Sequence, residues 1–196
     1  DLPATTRRNL ELVQTLRGED APTLFSLLDT CMTGMGSRML KSWLLEPARD
    51  RTEAQHRLLA IGALKGHAWQ TLRQQLKGCA DVERITARTA LRQVRPRELV
   101  ALVKTLQKTE LLTQSLCGLE GYLAHICEQL KPPADCAFLL QAAIAPEPAA
   151  LVRDGGVIAN GFDAELDELR GIQTNCDAYL LDLEVREKAR TGIANL

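Results

Sequence analysis

Gly34, Gly36, Lys41 and Ser42, in the stretch "CMTGMGSRMLKS" (residues 31–42), are the residue types of a phosphate-binding loop. Such a loop turns consecutive backbone N–H groups toward phosphate and places a lysine directly after its last glycine. Here the order does not suit that task. Leu40 precedes Lys41, both glycines stand five or more positions upstream, and no apolar strand leads in. A structural role fits better: Gly34 and Gly36 let the chain enter a helix tightly, Met35, Met39 and Leu40 pack, and Arg38 and Lys41 face outward or pair.

The other chemistry-bearing residues point the same way. Asp81 and Glu83 in "DVERI" stand at a helix start, where carboxylates satisfy free N–H groups. Asp163, Glu165, Asp167 and Glu168 form a solvated first turn that complements a helix dipole. His56, His67 and His125 are isolated, with no HExxH spacing, and no Ser or Thr has a His–acid partner at a recognisable distance. Cys31, Cys79, Cys117, Cys127, Cys136 and Cys176 include no CxxC pair, so reduced, partly buried thiols are expected and not a disulfide framework or zinc site. Arg84, Arg88, Arg92, Arg95 and Arg97 make the densest basic run. Without interleaved aromatics to stack on bases, salt bridging is the better expectation than single-strand binding. No catalytic, cofactor-binding or metal-ligating residue emerges.

The elements that carry these residues are mostly helical. Of 196 residues, 45% are hydrophobic and only 4% aromatic, with Leu and Ala dominating, which favours helices over a β-sandwich. A net charge of −1 offers no bulk attraction for nucleic acid. No signal peptide or membrane-length apolar run is present, so a cytosolic protein is expected. The chain opens without Met and stops at "TGIANL", as a piece of something larger would.

Residues 1–16 begin with "TTRRNLEL", a plausible strand entry, and "RGEDAPT" follows as a loop. Residues 23–150 read as a helical core. One helix runs from about Gly36 to Leu45 and halts before Pro47; another opens at Thr52; two more lie at "WQTLRQQL" and "DVERITARTALRQ", the latter capped by Asp81. Pro96 starts a long helix with Leu99, Leu102, Val103 and Leu106 at i, i+3, i+4, i+7; Gly118 ends it, and Pro132–Pro133 break the next helical stretch. In residues 151–161, Asp154–Gly155–Gly156 between two apolar pairs predicts a small β-hairpin, with a second turn at Asn160–Gly161. Residues 162–191 predict one long helix, acidic at its start and basic at its end, closed by Gly192. Phe162, Leu169, Cys176 and Leu183 recur every seven residues, with Leu166 and Leu180 between them and Gln173 interrupting, as in a coiled-coil seam. At about 1.5 Å per residue the helix would reach roughly 42 Å. A compact body of this size is only about 40 Å across, so the helix spans or projects from it. The fold class expected is mainly α: a helical bundle with a long protruding helix and a small β-hairpin.

Taken together, "TTRRNLEL", "LLDTCMTGMGSRMLKSWLLEP" with Arg57 and Ile61–Gly62, "DVERI" through Arg88, "RPREL", "LVRDGGVIANGFDAELDELR" and "LEVREKARTGIANL" resemble consecutive blocks of the bacterial MutS family of DNA mismatch-repair ATPases. The order and approximate spacing hold over residues 1–196. The resemblance implies a core/lever segment without catalysis of its own. The family's Phe-x-Glu mismatch reader and Walker A loop lie outside it, and the DNA clamp is inserted in the lever. It also implies a parent that uses ATP and Mg, binds mismatched duplex DNA through other domains, forms a homodimer, meets other mismatch-repair proteins, works in the bacterial cytoplasm and touches no membrane. The segment alone is expected to bind duplex DNA weakly and without mismatch preference.

On that placement Arg7, Arg8, Asn9, Asp29, Gly36, Arg38, Asp81, Glu83, Arg84 and Arg88, with Asp154, Gly155 and Gly156, are expected to be structural or interdomain residues, and "TTRRNLEL", Asp29, Arg38, Asp81, Glu83 and Arg84 to stabilise the joint from which the lever swings. Two other readings stay open. One is a free-standing helical adaptor that binds protein partners through the Phe162–Leu183 seam. The other is a MutS paralogue that acts on branched DNA and lacks the mismatch reader.

Overall fold

The structure is a computed structural model describing residues 2–66 and 68–193; His67 and the last three residues of "TGIANL" lie outside them. Among the described residues eleven α-helices follow in chain order: α1 (Ala4–Asn9), α2 (Leu24–Leu28), α3 (Gly34–Leu45), α4 (Thr52–Leu64), α5 (Ala68–Leu76), α6 (Val82–Ala90), α7 (Pro96–Leu116), α8 (Tyr122–Gln129), α9 (Ala134–Ala143), α10 (Ala164–Thr174) and α11 (Cys176–Thr191). The protein is mainly α. Among the described residues the only β pairing is an isolated antiparallel bridge between Ile144 and Ile158.

α7 is the hub, and its sequence explains why. Pro96 occupies the first turn, where its missing N–H costs nothing, and the Glu98 carboxylate accepts from the Arg95 backbone N–H at 2.9 Å. Val103, Leu112 and Leu116 are buried along it, and α5, α6, α8 and α9 pack around it, contributing Ile85, Leu123 and Ala143 to the same core. Thr105, buried in the middle of α7, donates to the Ala101 carbonyl and accepts from the Ala80 N–H, both at 2.8 Å. It thereby fixes the start of α6 against α7.

The core is thin. No described side chain falls below 2% exposure, and the chain exposes 14582 Å². A compact monomer of 21.6 kDa would expose about 9,200 Å² by the usual scaling of surface with mass. The excess includes Leu58, Leu59, Phe138, Leu180 and Leu181, each more than half exposed.

Three expectations are corrected. "TTRRNLEL" does not enter as a strand; Ala4–Asn9 is helical, with the Arg7 N–H on the Pro3 carbonyl at 3.0 Å. The β preference of Thr5 and Thr6 is weak without a neighbouring strand, while Arg7 and Arg8 in the last turn suit the dipole.

The hairpin about Asp154–Gly155–Gly156 does not form. Val152–Asp154 is a single 3-10 turn, followed by Gly155 and Gly156 in left-handed backbone at φ +74° and +65°. Val157 and Ile158 pair instead with the end of α9: the Ala145 N–H donates to the Val157 carbonyl and the Ala159 N–H to the Ala143 carbonyl, both at 2.8 Å.

The long terminal helix is two helices. Asp163 caps α10 by accepting from the Leu166 N–H at 2.9 Å, but the run breaks at Asn175 (φ −119°, ψ 42°) before α11 begins. Gly171, Thr174 and Asn175 are all weak helix formers and concentrate there. The seam residues are open: Phe162, Leu169, Leu180 and Leu183 are 44%, 57%, 53% and 37% exposed, and Cys176 is exposed too. Leu166 alone of that set is half-buried. From Gln173 to Ile193 only Glu184, Glu187 and Lys188 are even half-covered, so α11 is an arm that stands off the core.

Candidate interdomain joint

The stretch that suggested a phosphate loop is the first half of α3. Thr33 caps that helix, its hydroxyl accepting from the Gly36 N–H at 3.1 Å. A Cβ on Gly36 would meet that hydroxyl at 3.2 Å, so glycine keeps the capping turn tight. The Lys41 ammonium lies 5.9 Å from the Phe25 ring centroid on α2. Thr33 takes the Gly36 N–H with its hydroxyl and the Ser37 N–H with its carbonyl, both at 3.1 Å, so these two N–H groups are not free to cradle phosphate.

What this region builds is a series of ion pairs between helices. α2 begins with a reciprocal cap, in which the Ser26 N–H donates to the Thr23 hydroxyl (3.1 Å) and the Thr23 N–H to the Ser26 hydroxyl (2.8 Å). It ends at Asp29, whose carboxylate accepts from the Ser37 hydroxyl of α3 and from the Cys31 N–H at 3.2 Å. The Ser37 bond, then the Cys31 bond, hold Asp29 below the ordinary carboxylate range.

The next residue of α3, Arg38, reaches the start of α6. Its two terminal nitrogens donate to both oxygens of Asp81 at 2.7 and 2.8 Å, and one of them also donates to Glu83 at 2.6 Å. Asp81 caps α6 at the same time, accepting from the Arg84 N–H at 3.1 Å, while the Arg84 guanidinium lies 3.6 Å away. The side chain is only 25% exposed. Hydrogen bonding to Arg38 is the main cause that pulls the Asp81 carboxyl down to about 2, against the opposing effect of burial. The same pair pushes Arg38 upward. From α6, Arg88 pairs with Glu98 on α7.

Asp29, Gly36, Arg38, Asp81, Glu83, Arg84 and Arg88 thus lie along one path through α2, α3, α6 and α7. The remaining sequence candidates lie apart from it. Arg7 and Arg8 are on α1 and line a separate cavity, where Arg7 donates from Nε to the Leu2 carbonyl at 2.9 Å; Asn9 is exposed at the helix end. Asp154, Gly155 and Gly156 sit in the turn before the Ile144–Ile158 bridge, with an exposed Arg153–Asp154 contact at 3.7 Å. Of the basic run, Arg84 and Arg88 are paired as described, and Arg92, Arg95 and Arg97 make no ion pair among the described residues.

Sequence reasoning missed two clusters. The Arg57 guanidinium of α4 lies 3.7 Å from the Trp43 ring centroid of α3 and pairs with Glu53 at 2.7 Å; Glu53 also accepts from the Tyr122 hydroxyl of α8 at 3.2 Å. This stack ties three helices at one point, and the only hint of it in the chain is the i,i+4 spacing of Glu53 and Arg57. Arg57→Ala is expected to lower stability by about 1–2 kcal/mol, through lost stacking and stem packing, and thermal melting measures it.

The second cluster anchors the arm. Arg170 on α10 donates to the Ile158 carbonyl and to Asn160, both at 3.0 Å, and pairs with Asp167 at 3.2 Å; Asp167 in turn accepts from the Gly161 N–H at 2.6 Å. The base of the arm is therefore clamped to the same segment that pairs with α9.

Among the described residues no three or more His, Cys, Asp or Glu gather to hold a metal ion. All six cysteines are unpaired; Cys79 and Cys127 are half-buried and the other four exposed, so partial burial holds for two. No described helix is long and apolar enough to cross a membrane. The family profile of MutS domain III matches residues 5–194. With that match over the helical body, its ion-paired joint and its arm, the chain belongs to the MutS family of DNA mismatch-repair proteins and represents their domain III.

Proposed function

We propose that this domain is the non-catalytic core and lever of a bacterial, cytoplasmic, homodimeric mismatch-repair ATPase. On this reading ATP and Mg act in another domain of the parent, and mismatched duplex DNA is gripped by others. The domain between them carries movement from one to the other. The observation that carries the reading is the arm: α10 is clamped at its base through Arg170 and Asp167, while α11 beyond Asn175 stands clear of the core. A helix held at one end turns a small rotation at its base into a larger displacement at its tip.

The test is made on the gene product that contains this segment. Insertion of two glycines after Asn175 is expected to leave basal ATP hydrolysis and mismatch binding in place. It should abolish the change in ATP turnover that mismatched DNA produces. Unaltered stimulation by mismatched DNA would overturn the coupling role. A gene product with neither a Phe-x-Glu reader nor a GxxxxGK[ST] loop would overturn the parent assignment.

A further inference from the structure

Three arginines, Arg7, Arg8 and Arg17, line one cavity of about 400 Å³ between α1, the loop after it and the end of α3. No carboxylate lines that cavity, and none of the three arginines makes an ion pair among the described residues. The nearest acids in sequence are Glu19 and Asp20, two and three residues from Arg17, and Glu11, three from Arg8; none lines the cavity, and Glu11 accepts from the N–H of the lining residue Leu16 at 2.7 Å. Along the joint Arg38 meets Asp81 and Glu83, and Arg88 meets Glu98, while the other arginines without an ion pair among the described residues, such as Arg92 and Arg95, do not share a cavity with an apolar lining. Arginines that line one concavity without an acid to pair with offer forked donors that suit oxyanions.

The rest of the lining narrows the class of partner. Val13 and Leu45 are half-buried in the cavity and Leu16 is 53% exposed at it. Inorganic phosphate or a nucleic-acid backbone would satisfy the arginines and leave this apolar surface wet. A peptide with an apolar residue flanked by carboxylates would cover both. We propose that the cavity is a docking site for an acidic protein segment in which Glu or Asp residues flank an apolar side chain. The site is a property of this chain's own geometry and stands whether or not the arm acts as a lever.

The experiment uses the isotope-labelled 196-residue chain. Acetyl-Glu-Leu-Glu-Asp-amide is titrated while the arginine Nε–H signals and the Thr15–Gly18 amides are followed by NMR. Saturable shifts at Arg7, Arg8 and Arg17 are expected, weakening as salt rises. Acetyl-Gln-Leu-Gln-Asn-amide should produce none. Arg17→Gln should weaken the peptide by about fivefold or more, and Arg8→Gln likewise. Both side chains are exposed and neither donates a side-chain hydrogen bond among the described residues, so unchanged melting of each variant separates lost binding from lost fold.

Equal binding of the neutral peptide, or an affinity indifferent to Arg17→Gln, would overturn the proposal. So would shifts confined to Arg84–Arg97. Inorganic phosphate or a short duplex DNA that shifts the same three arginines more tightly than the peptide would reassign the site to phosphate and equally overturn it.

Discussion

Asp81→Ala is expected to lower the stability of this domain by about 2 kcal/mol, a fall in Tm of roughly 4–8 °C for a chain of this length. The substitution removes two things at once. It strips α6 of its cap at the Arg84 N–H, and it leaves Arg38 with Glu83 alone on an exposed edge. Asp81→Asn separates them, since an amide still caps a helix but cannot accept both forks of a guanidinium. About half the loss is expected from it.

The pH dependence gives an independent reading. A carboxyl drawn down to about 2 in the fold and near 3.9 in the unfolded chain contributes stability fully above about pH 4. That contribution is lost as pH falls from there toward 2. Melting of the parent between pH 5 and pH 2, at about unit intervals, should therefore show a decline that Asp81→Asn flattens. An Asp81→Asn curve parallel to the parent's would mean that the Arg38 pair adds nothing to stability.

Local chemistry made some of this architecture legible and distance hid the rest. Pro96, the Asp81 cap and the acidic turn from Asp163 are written within a few residues of the helix starts they mark, and all three helices are found there. Asp81 reads locally as a helix cap and Arg38 as a residue that faces outward or pairs; that the two meet depends on a packing 43 residues apart in sequence. The same holds for Tyr122 and Glu53, 69 residues apart. The "RDGG" turn misled because a hairpin signal specifies a reversal but not which strand is met afterwards. Val157 and Ile158 had a better partner in Ala143–Ala145, already anchored by α9. At Asn175 two local signals competed. The seven-residue recurrence of apolar side chains argued for one helix, while Gly171, Thr174 and Asn175 argued for an end, and with no facing helix to reward the seam, backbone preference decided.

That outcome at Asn175 sets the energetic asymmetry of the molecule, and a pair of leucines reads it. Leu116, 5% exposed, is buried at the end of α7, the helix around which α5, α6, α8 and α9 pack. Leu116→Ala removes buried methyl groups from a core too thin to close over the gap, and a loss of about 3 kcal/mol is expected, with Tm lower by roughly 6–12 °C. Leu169 occupies an equally apolar position in the sequence, and in a packed seam Leu169→Asp would bury a charge at greater cost still. At 57% exposure it buries none, so Leu169→Asp should leave stability within about 0.5 kcal/mol. Melting of the two variants beside the parent decides between a domain stabilised throughout and one whose arm is detached from the core's cooperativity. If Leu169→Asp destabilised the chain as much as Leu116→Ala, the α10 face would be packed in solution, and the arm would fold as part of the body. If it melts with the parent, the exposed face of α10 is surface whose exposure costs the core nothing.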